Sequence, residues 1–434
     1  MIIKTVSYLL ILLIIVVTIA AIFRAFQFQL EGFDASMKDY KNSSGYKTQI
    51  ALVQGLQEKR FNGRRDYNDM LQSSGVPAEE QCFVNFYSLG CRFTSYLGPF
   101  LGGYFDTDNA VLAALKMGCR TLVLEIDYYS DACEAVFPRL VVRDVRGGNI
   151  SDPTSDVKCQ NPQQSNIADT CASIANYAFS NSVANPADPL IIVLYFLRTP
   201  PTDNTPTQNG TLLSFFKHVA KGLQPLLNNA VNILAAGGNY SRQAQESALL
   251  TNPISTYAGK VLFFSNADTS IFRSQKGIPS NDDLDYIINL RLTYNQNQFG
   301  VTKNTTTNSN GTKFALLESV DGYMQIPPDK AAAIQASTNS MWTMCFDNDP
   351  SLVSPKASID QLMQKIGVHC IPIQIWSTGD KSYDYMFDDK HFKKWSWLPK
   401  PQPLRYTIPK TAVPASAAKE TNSNGGEIPT PSGM

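Results

Sequence analysis

The 434-residue chain carries 37 Lys+Arg against 37 Asp+Glu, a formal net charge of zero. Hydrophobic residues make up 43% and charged residues only 17%, the latter below the usual fraction of about 25%. That apolar content supports a sizeable core and excludes global disorder. The neutral balance, with no basic stripe, excludes a nucleic-acid-binding role.

Thr5–Phe23 is a run of 19 uncharged residues rich in Leu, Ile and Val, flanked by Lys4 and Arg24. As a helix it is long enough to cross about 30 Å of hydrocarbon. A cleaved secretory signal is the rival reading, but its apolar region is usually about 7–15 residues long. No small-x-small cleavage site follows Ala20 and Ala21. A buried core helix ranks third, because no polar face interrupts the run. Residues 1–24 are therefore expected to form a single transmembrane anchor, and residues 25–81 a polar juxtamembrane segment. Lys4 and the terminal amine on one side, against Arg24 and Lys38 on the other, slightly favour the folded body on the non-cytoplasmic side.

From residue 82 the sequence alternates strand-like and helical patterns. Thr121–Tyr129, Leu140–Val145, Leu190–Leu197, Lys260–Asn266, Met341–Phe346 and His369–Trp376 are short apolar runs of the kind buried on both faces of a parallel sheet. Thr107 is placed to cap a helix through Ala110–Met117 that Gly118 stops. Ile167, Cys171, Ile174, Ala175 and Ala178 repeat at one-face helical spacing, and Ser358–Ile366 reads as a further helix closed by Gly367. This alternation predicts an α/β fold, with a (β/α) TIM-type barrel as the leading option. A doubly wound open sheet is the alternative, but no glycine-rich phosphate turn follows the first strand. Residues 199–210 and 300–312 read as surface loops by composition, and residues 411–434 as a disordered tail.

Eight cysteines show no CxxC or Cys/His cluster of the kind that holds zinc. Sequons at Asn42, Asn149, Asn209, Asn239, Asn304 and Asn310 suit an oxidising compartment. Chance sequons in an Asn-rich chain and free core thiols explain the same counts, so disulfides stay an open alternative.

The segment most informative for chemistry is Gly118–Asp127. Residues two apart on a strand share a face, so Glu125 and Asp127 project together. At the C-terminal end of a barrel strand such a pair can hold a hard cation, Ca2+ or Mg2+, or act as acid and base. Asp131, Arg92 and Arg143 are further candidates, the arginines as forked clamps for a phosphate.

This segment resembles the X-box of the phosphoinositide-specific phospholipase C family and its phosphodiesterase relatives. There, a Gly-Cys-Arg run opens the strand that bears an E-x-D pair of metal ligands. Pro138–Arg143 is similar to the family's next strand, Ile174–Leu197 to a helix, turn and buried strand, and Gly259–Asn266 to the strand closing the X half. Gly367–Thr378 and Trp395–Arg405 resemble the Y-box with its K-P-x-x-L-R ending. The resemblance covers residues 82–410, with an X-like half over 82–270 and a Y-like half over 313–410. It implies an incomplete or distorted (β/α) barrel and a calcium-assisted phosphodiesterase. Chains of this kind with a single N-terminal helix and no lipid-binding accessory module also resemble proteins of large DNA viruses, which implies capsid or envelope partners in a virion.

The residues depart from that family where chemistry is done. The family employs two histidines as base and acid, a job suited to a pKa near neutrality. The first would fall within Cys91–Thr94, and the second at Val142 or Arg143, where this chain has none. A calcium-ligand Asn corresponds to Thr94, a third carboxylate to Leu197, and phosphate-binding lysines to Phe264 and Asn266. His218, His369 and His391 lie elsewhere and read as structural. The expectation is thus a membrane-anchored, catalytically degenerate member of the phospholipase-C-like fold acting as a binding or structural module, with a phospholipid headgroup among its candidate partners. An active phosphoric diester hydrolase with relocated acid and base is the alternative.

Overall fold

The computed structural model describes residues 40–60, 65–130, 136–142, 165–200, 206–231, 248–269, 271–272, 283–294, 315–324, 328–346, 356–374 and 391–407. The run 5–23, Asp131, Arg143 and the tail 411–434 lie outside them. Among the described residues no helix is long and apolar enough to cross a membrane.

The strands are β1 (Phe86–Ser88), β2 (Gly90–Cys91), β3 (Tyr96–Leu97), β4 (Tyr104–Phe105), β5 (Thr121–Ser130) and β6 (Val136–Leu140). They continue as β7 (Leu190–Phe196), β8 (Val261–Ser265), β9 (Leu290–Tyr294), β10 (Ala315–Ser319), β11 (Trp342–Phe346) and β12 (Trp397–Pro399). Helices that matter here are α1 (Ser44–Arg60), α2 (Tyr67–Ser74), α3 (Thr107–Lys116), α4 (Ile167–Ala178) and α5 (Pro206–Gly222).

Seven strands form one parallel sheet in the order β2-β5-β7-β8-β9-β10-β11. The ring is not completed by a regular eighth strand. Instead residues 369–374 span the gap, with one parallel bridge to each edge, Met344–Cys370 and Cys91–Ile373. Arg92 N–H donates to Ile373 O at 2.8 Å and Cys345 N–H to Cys370 O at 3.0 Å. The expected strand His369–Trp376 is reduced to these bridges, partly because Pro372 has no N–H to give. Gly90 stands where a Cβ would overlap Cys370 Sγ and lie 3.2 Å from Pro372 Cα, so a residue without a side chain lets this segment close in.

Of the strand expected at Leu140–Val145, Leu140 ends β6 (Val136–Leu140), which runs antiparallel to the end of β5 with Ile126 opposite Leu140 and Ser130 opposite Val136, and residues 143–145 lie outside the described residues. β5 outruns its pairing with β7, which ends at Ile126 opposite Phe196, and the hairpin partner covers the exposed length. Helix α3 is capped by Asp106 rather than Thr107: its carboxylate accepts the Asn109 N–H at 2.9 Å.

The layering explains the apolar runs. All seven residues of β7 are buried, because one face packs inside the sheet's curve and the other beneath helices. Val123, Val193, Tyr195, Leu262, Phe264, Leu292, Trp342 and Met344 pack in the inner cluster. Leu122, Leu124, Ile126, Ile192, Leu194 and Phe263 belong to the outer cluster with α3, α4 and α5. Each such side chain contributes on the order of 1.5–3 kcal/mol by leaving water. The six described cysteines are buried.

The C-terminal segment closes the base, the end where the parallel strands begin. β12 pairs antiparallel with β1, Trp397 Nε1–H donates to Pro189 O at 3.3 Å, and Arg405 meets Glu80 at 2.9 Å. The two ends of the resemblance are therefore held together at the base, and the opposite, C-terminal edge of the strands forms the mouth.

Candidate active site

Alternation along β5 puts Thr121, Val123, Glu125 and Asp127 on the inner face. Glu125 and Asp127 are 3% and 0% exposed, at the end of the strand that opens on the mouth. Burying two carboxylates there is costly unless each is paired and hydrogen-bonded.

Each has an arginine. Arg92, just past β2, donates from Nε to Glu125 Oε1 at 2.7 Å and from Nη2 to Oε2 at 3.3 Å. Arg198, just past β7, donates from Nε to Asp127 Oδ1 at 2.7 Å and from Nη2 to Oδ2 at 2.6 Å. Asp127 Oδ1 also accepts the Tyr128 N–H at 2.9 Å. Both guanidinium groups stack on a ring, Arg92 over Phe93 at 4.8 Å and Arg198 over Tyr128 at 4.7 Å, a geometry that lysine cannot reproduce. Phe93 takes φ +50°, an uncommon conformation for a side-chain-bearing residue. Every carboxylate oxygen of the pair therefore accepts a guanidinium N–H, and the four charges cancel.

The structure brings Glu125, Asp127 and Arg92 together, with the Arg92 guanidinium on the Glu125 carboxylate. Asp131 and Arg143 lie outside the described residues. Arg198 was not singled out from the sequence; a basic residue one position beyond Leu197, at the end of a buried strand, was the available signal.

The other family positions are filled by groups with different tasks. The Thr94 hydroxyl donates to Val123 O at 3.1 Å. Leu197 and Phe264 are buried in the inner cluster. Asn266 holds the Phe196 backbone at both ends, 2.7 Å to N and 2.8 Å to O. Val142 belongs to the outer cluster, whereas Val141 is in the inner one and its N–H donates to Glu125 O at 3.0 Å.

Imidazole is absent from this cluster. His369 is buried at the base: Nδ1 accepts the Thr343 N–H at 3.0 Å, and Nε2–H donates to Val84 O at 2.6 Å. Burial, with nearby Lys400, holds its pKa well below the ordinary histidine range, so the ring is neutral. His218 is on α5, 2.8 Å from Ser214 O, and His391 is 3.7 Å from Asp360. Among the described residues no group of three or more His, Cys, Asp and Glu is arranged to hold a metal. Calcium prefers six to eight oxygens, more than Glu125 and Asp127 supply by themselves.

Fold and mouth together define the class: an α/β protein whose parallel sheet presents a buried carboxylate pair at its C-terminal edge. No family model and no curated protein matches the chain. Among solved structures it is similar to the calcium-dependent phosphoinositol-specific phospholipase C of a Pseudomonas species, at 13% identity and a TM-score of 0.42, over 75% of this chain and 97% of that one. It is also similar to PLC21 of L. pealei, at 12% identity and a TM-score of 0.46, over 76% of this chain and 38% of that one. A glycerophosphodiester phosphodiesterase of Parabacteroides distasonis follows at 10% identity and a TM-score of 0.30, over 69% and 97% of the two chains.

Proposed function

We propose that this chain is a membrane-anchored protein of the phospholipase-C-like phosphodiesterase superfamily, with a distorted (β/α) barrel that no longer catalyses and serves as a binding or structural module. The observation that carries this reading is the pairing of both mouth carboxylates with arginines, Glu125 with Arg92 and Asp127 with Arg198. Two internal cations take the place a divalent ion would need. Admitting calcium would require displacing both guanidinium groups and finding two to four further oxygens among side chains such as Leu197 and Phe264. A general acid and base each contribute about 10²–10⁴-fold, yet His369 is buried at the base and His218 bonds to Ser214 O on its own helix and packs against Phe137. The anchor rests on the apolar run Thr5–Phe23. The partners proposed are the membrane itself, a phospholipid headgroup, or capsid and envelope proteins of a virion.

The test is hydrolysis of phosphoinositide vesicles by the full chain in the presence of Ca2+ or Mg2+, together with a thermal-shift titration of each ion. The expected result is no inositol phosphate release and no shift of the melting temperature at millimolar metal. Release that Glu125→Ala abolishes would overturn the reading in favour of an active phosphoric diester hydrolase.

A further inference from the structure

Helix α1 begins at a well-defined cap. The Ser43 hydroxyl accepts the Tyr46 N–H at 3.2 Å and the Ser43 carbonyl accepts the Lys47 N–H at 3.2 Å, which meets donors that a helix start leaves open. The same hydroxyl donates to Tyr40 O at 2.7 Å. Gly45 and Tyr46 form the side of the first turn that faces the barrel. A Cβ at Gly45 would lie 3.1 Å from Tyr104 Oη, and the Tyr46 ring meets Tyr104 edge-on at 5.5 Å. The Tyr46 hydroxyl donates to Asp106, the cap of α3. Asn42 and Ser44, on either side of the cap, are both exposed.

Asn42-Ser43-Ser44 is a sequon. Chance supplies sequons in an Asn-rich chain, so their placement carries more than their number. Asparagines that hold the fold sit elsewhere: Asn85 bonds Glu80 O and Tyr406 O, Asn185 joins Asp188 to Ser396, Asn266 holds Phe196, and Asn289 holds Phe263 and Val231. None of these four opens a sequon. Asn149, Asn239, Asn304 and Asn310 lie outside the described residues, and Asn209 falls in the first turn of α5. At Asn42 the fold leaves both the acceptor amide and the sequon's last residue on the surface, because the cap is made by the middle residue. A glycan there displaces no core contact. Residues 24–41 separate Asn42 from Phe23, and eighteen extended residues span about 60 Å, enough to hold the acceptor clear of a bilayer.

We propose that Asn42 is an N-glycosylation site, its glycan drawn from a lipid-linked oligosaccharide, and that the folded body stands on the non-cytoplasmic side of its membrane. In the transfer Asn42 Nδ2 loses one proton and bonds the anomeric carbon, while that carbon's bond to the carrier's pyrophosphate oxygen breaks and the lipid pyrophosphate leaves. This deepens the anchored reading above and rests on it for the membrane. The test expresses the full chain in cultured insect cells and washes the membranes with alkaline carbonate. The chain is then deglycosylated by an amidase in heavy-oxygen water, which converts a glycosylated Asn to heavy-oxygen Asp, and the peptide bearing residue 42 is weighed. The expected result is a membrane-retained chain with heavy Asp at position 42, at least ten-fold above the yield in Ser44→Ala, and preserved in Ser44→Thr. Both variants keep the Ser43 cap, so folding is not at issue. An unmodified Asn42 in a membrane-retained chain overturns the inference and leaves the anchor standing. A heavy Asp that persists in Ser44→Ala also overturns it, since the sequon would then not be what is read. A glycosylated chain that the wash releases overturns the anchor alone.

Discussion

Arg92→Met isolates the ion pair at the mouth. The Arg92 and Glu125 side chains are 8% and 1% exposed, with 2.7 Å between Nε and Oε1. At an effective dielectric of about 20 two unit charges at that distance attract by roughly 6 kcal/mol before desolvation is counted. Methionine keeps the aliphatic stem and its packing but leaves Glu125 buried without this counter-ion. Breaking a buried pair from one side costs about 3–5 kcal/mol. Each kcal/mol moves the melting temperature by about 2–4 °C in a domain of 150–250 residues and less in a larger one, so a fall of roughly 5–8 °C is expected. Replacing both partners, Arg92→Met with Glu125→Leu, removes the uncompensated charge and is expected to return stability to within about 1 kcal/mol of the parent, or above it. Urea midpoints for the parent, both single variants and the double variant close the cycle. A single variant within about 0.5 kcal/mol of the parent, or a double variant below both singles, would refute the account of an internally compensated mouth.

Other expectations follow from the same packing. Arg198→Met is expected to destabilise less than Arg92→Met, by about 2–3 kcal/mol, because the Arg198 side chain is 17% exposed and its charge is partly met by water; the order of the two urea midpoints checks this. At the base, burial pushes the Asp188 pKa up to about 6 despite the nearby Arg120 charge. The folded state therefore binds the proton more tightly than the unfolded chain. Stability from this group is full below about pH 4 and is lost as the pH rises through 6, by roughly 3 kcal/mol in all. Asp188→Asn should flatten the stability profile over that window, and an unchanged slope would count against it. His369 runs the opposite way: its depressed pKa means stability is present above about pH 6.5 and lost as acid forces the proton on. Its imidazole nitrogen resonances should report a neutral Nε2–H tautomer from pH 8 to pH 6, whereas titration near 6.5 would show an exposed ring. Gly90→Ala should loosen the bridges of residues 369–374, at a cost of about 1–3 kcal/mol, read as faster amide exchange at Ile373. Cys370→Ala in the same chain should recover part of that loss.

Much of this was legible in the sequence. The runs at Thr121–Tyr129, Leu190–Leu197 and Lys260–Asn266 mark strands because each is short and dominated by β-branched, leucine and aromatic residues. β9 and β10 were missed because LRLTY and ALLES are too short and too mixed to stand out from their surroundings. β6 at Val136–Leu140 stands ahead of the run expected at Leu140–Val145, since an apolar run shows that a segment is buried but not which neighbour it pairs with. The regular closing strand expected at His369–Trp376 is two single bridges, a consequence of Pro372 and of the close approach to Gly90.

The sequence by itself determined that Glu125 and Asp127 share a face, because a strand repeats every two residues, and that no histidine stands at Cys91–Thr94 or Val142. Both statements are local and depend on nothing distant. Only the tertiary structure decided what those carboxylates do. Their partners lie 33 residues before Glu125 and 71 beyond Asp127, and strand order brings all three elements side by side, β2 on one flank of β5 and β7 on the other. An ion pair between residues so far apart has no periodicity to betray it. It exists because burial raises the cost of an unpaired charge until the nearest guanidinium is drawn in.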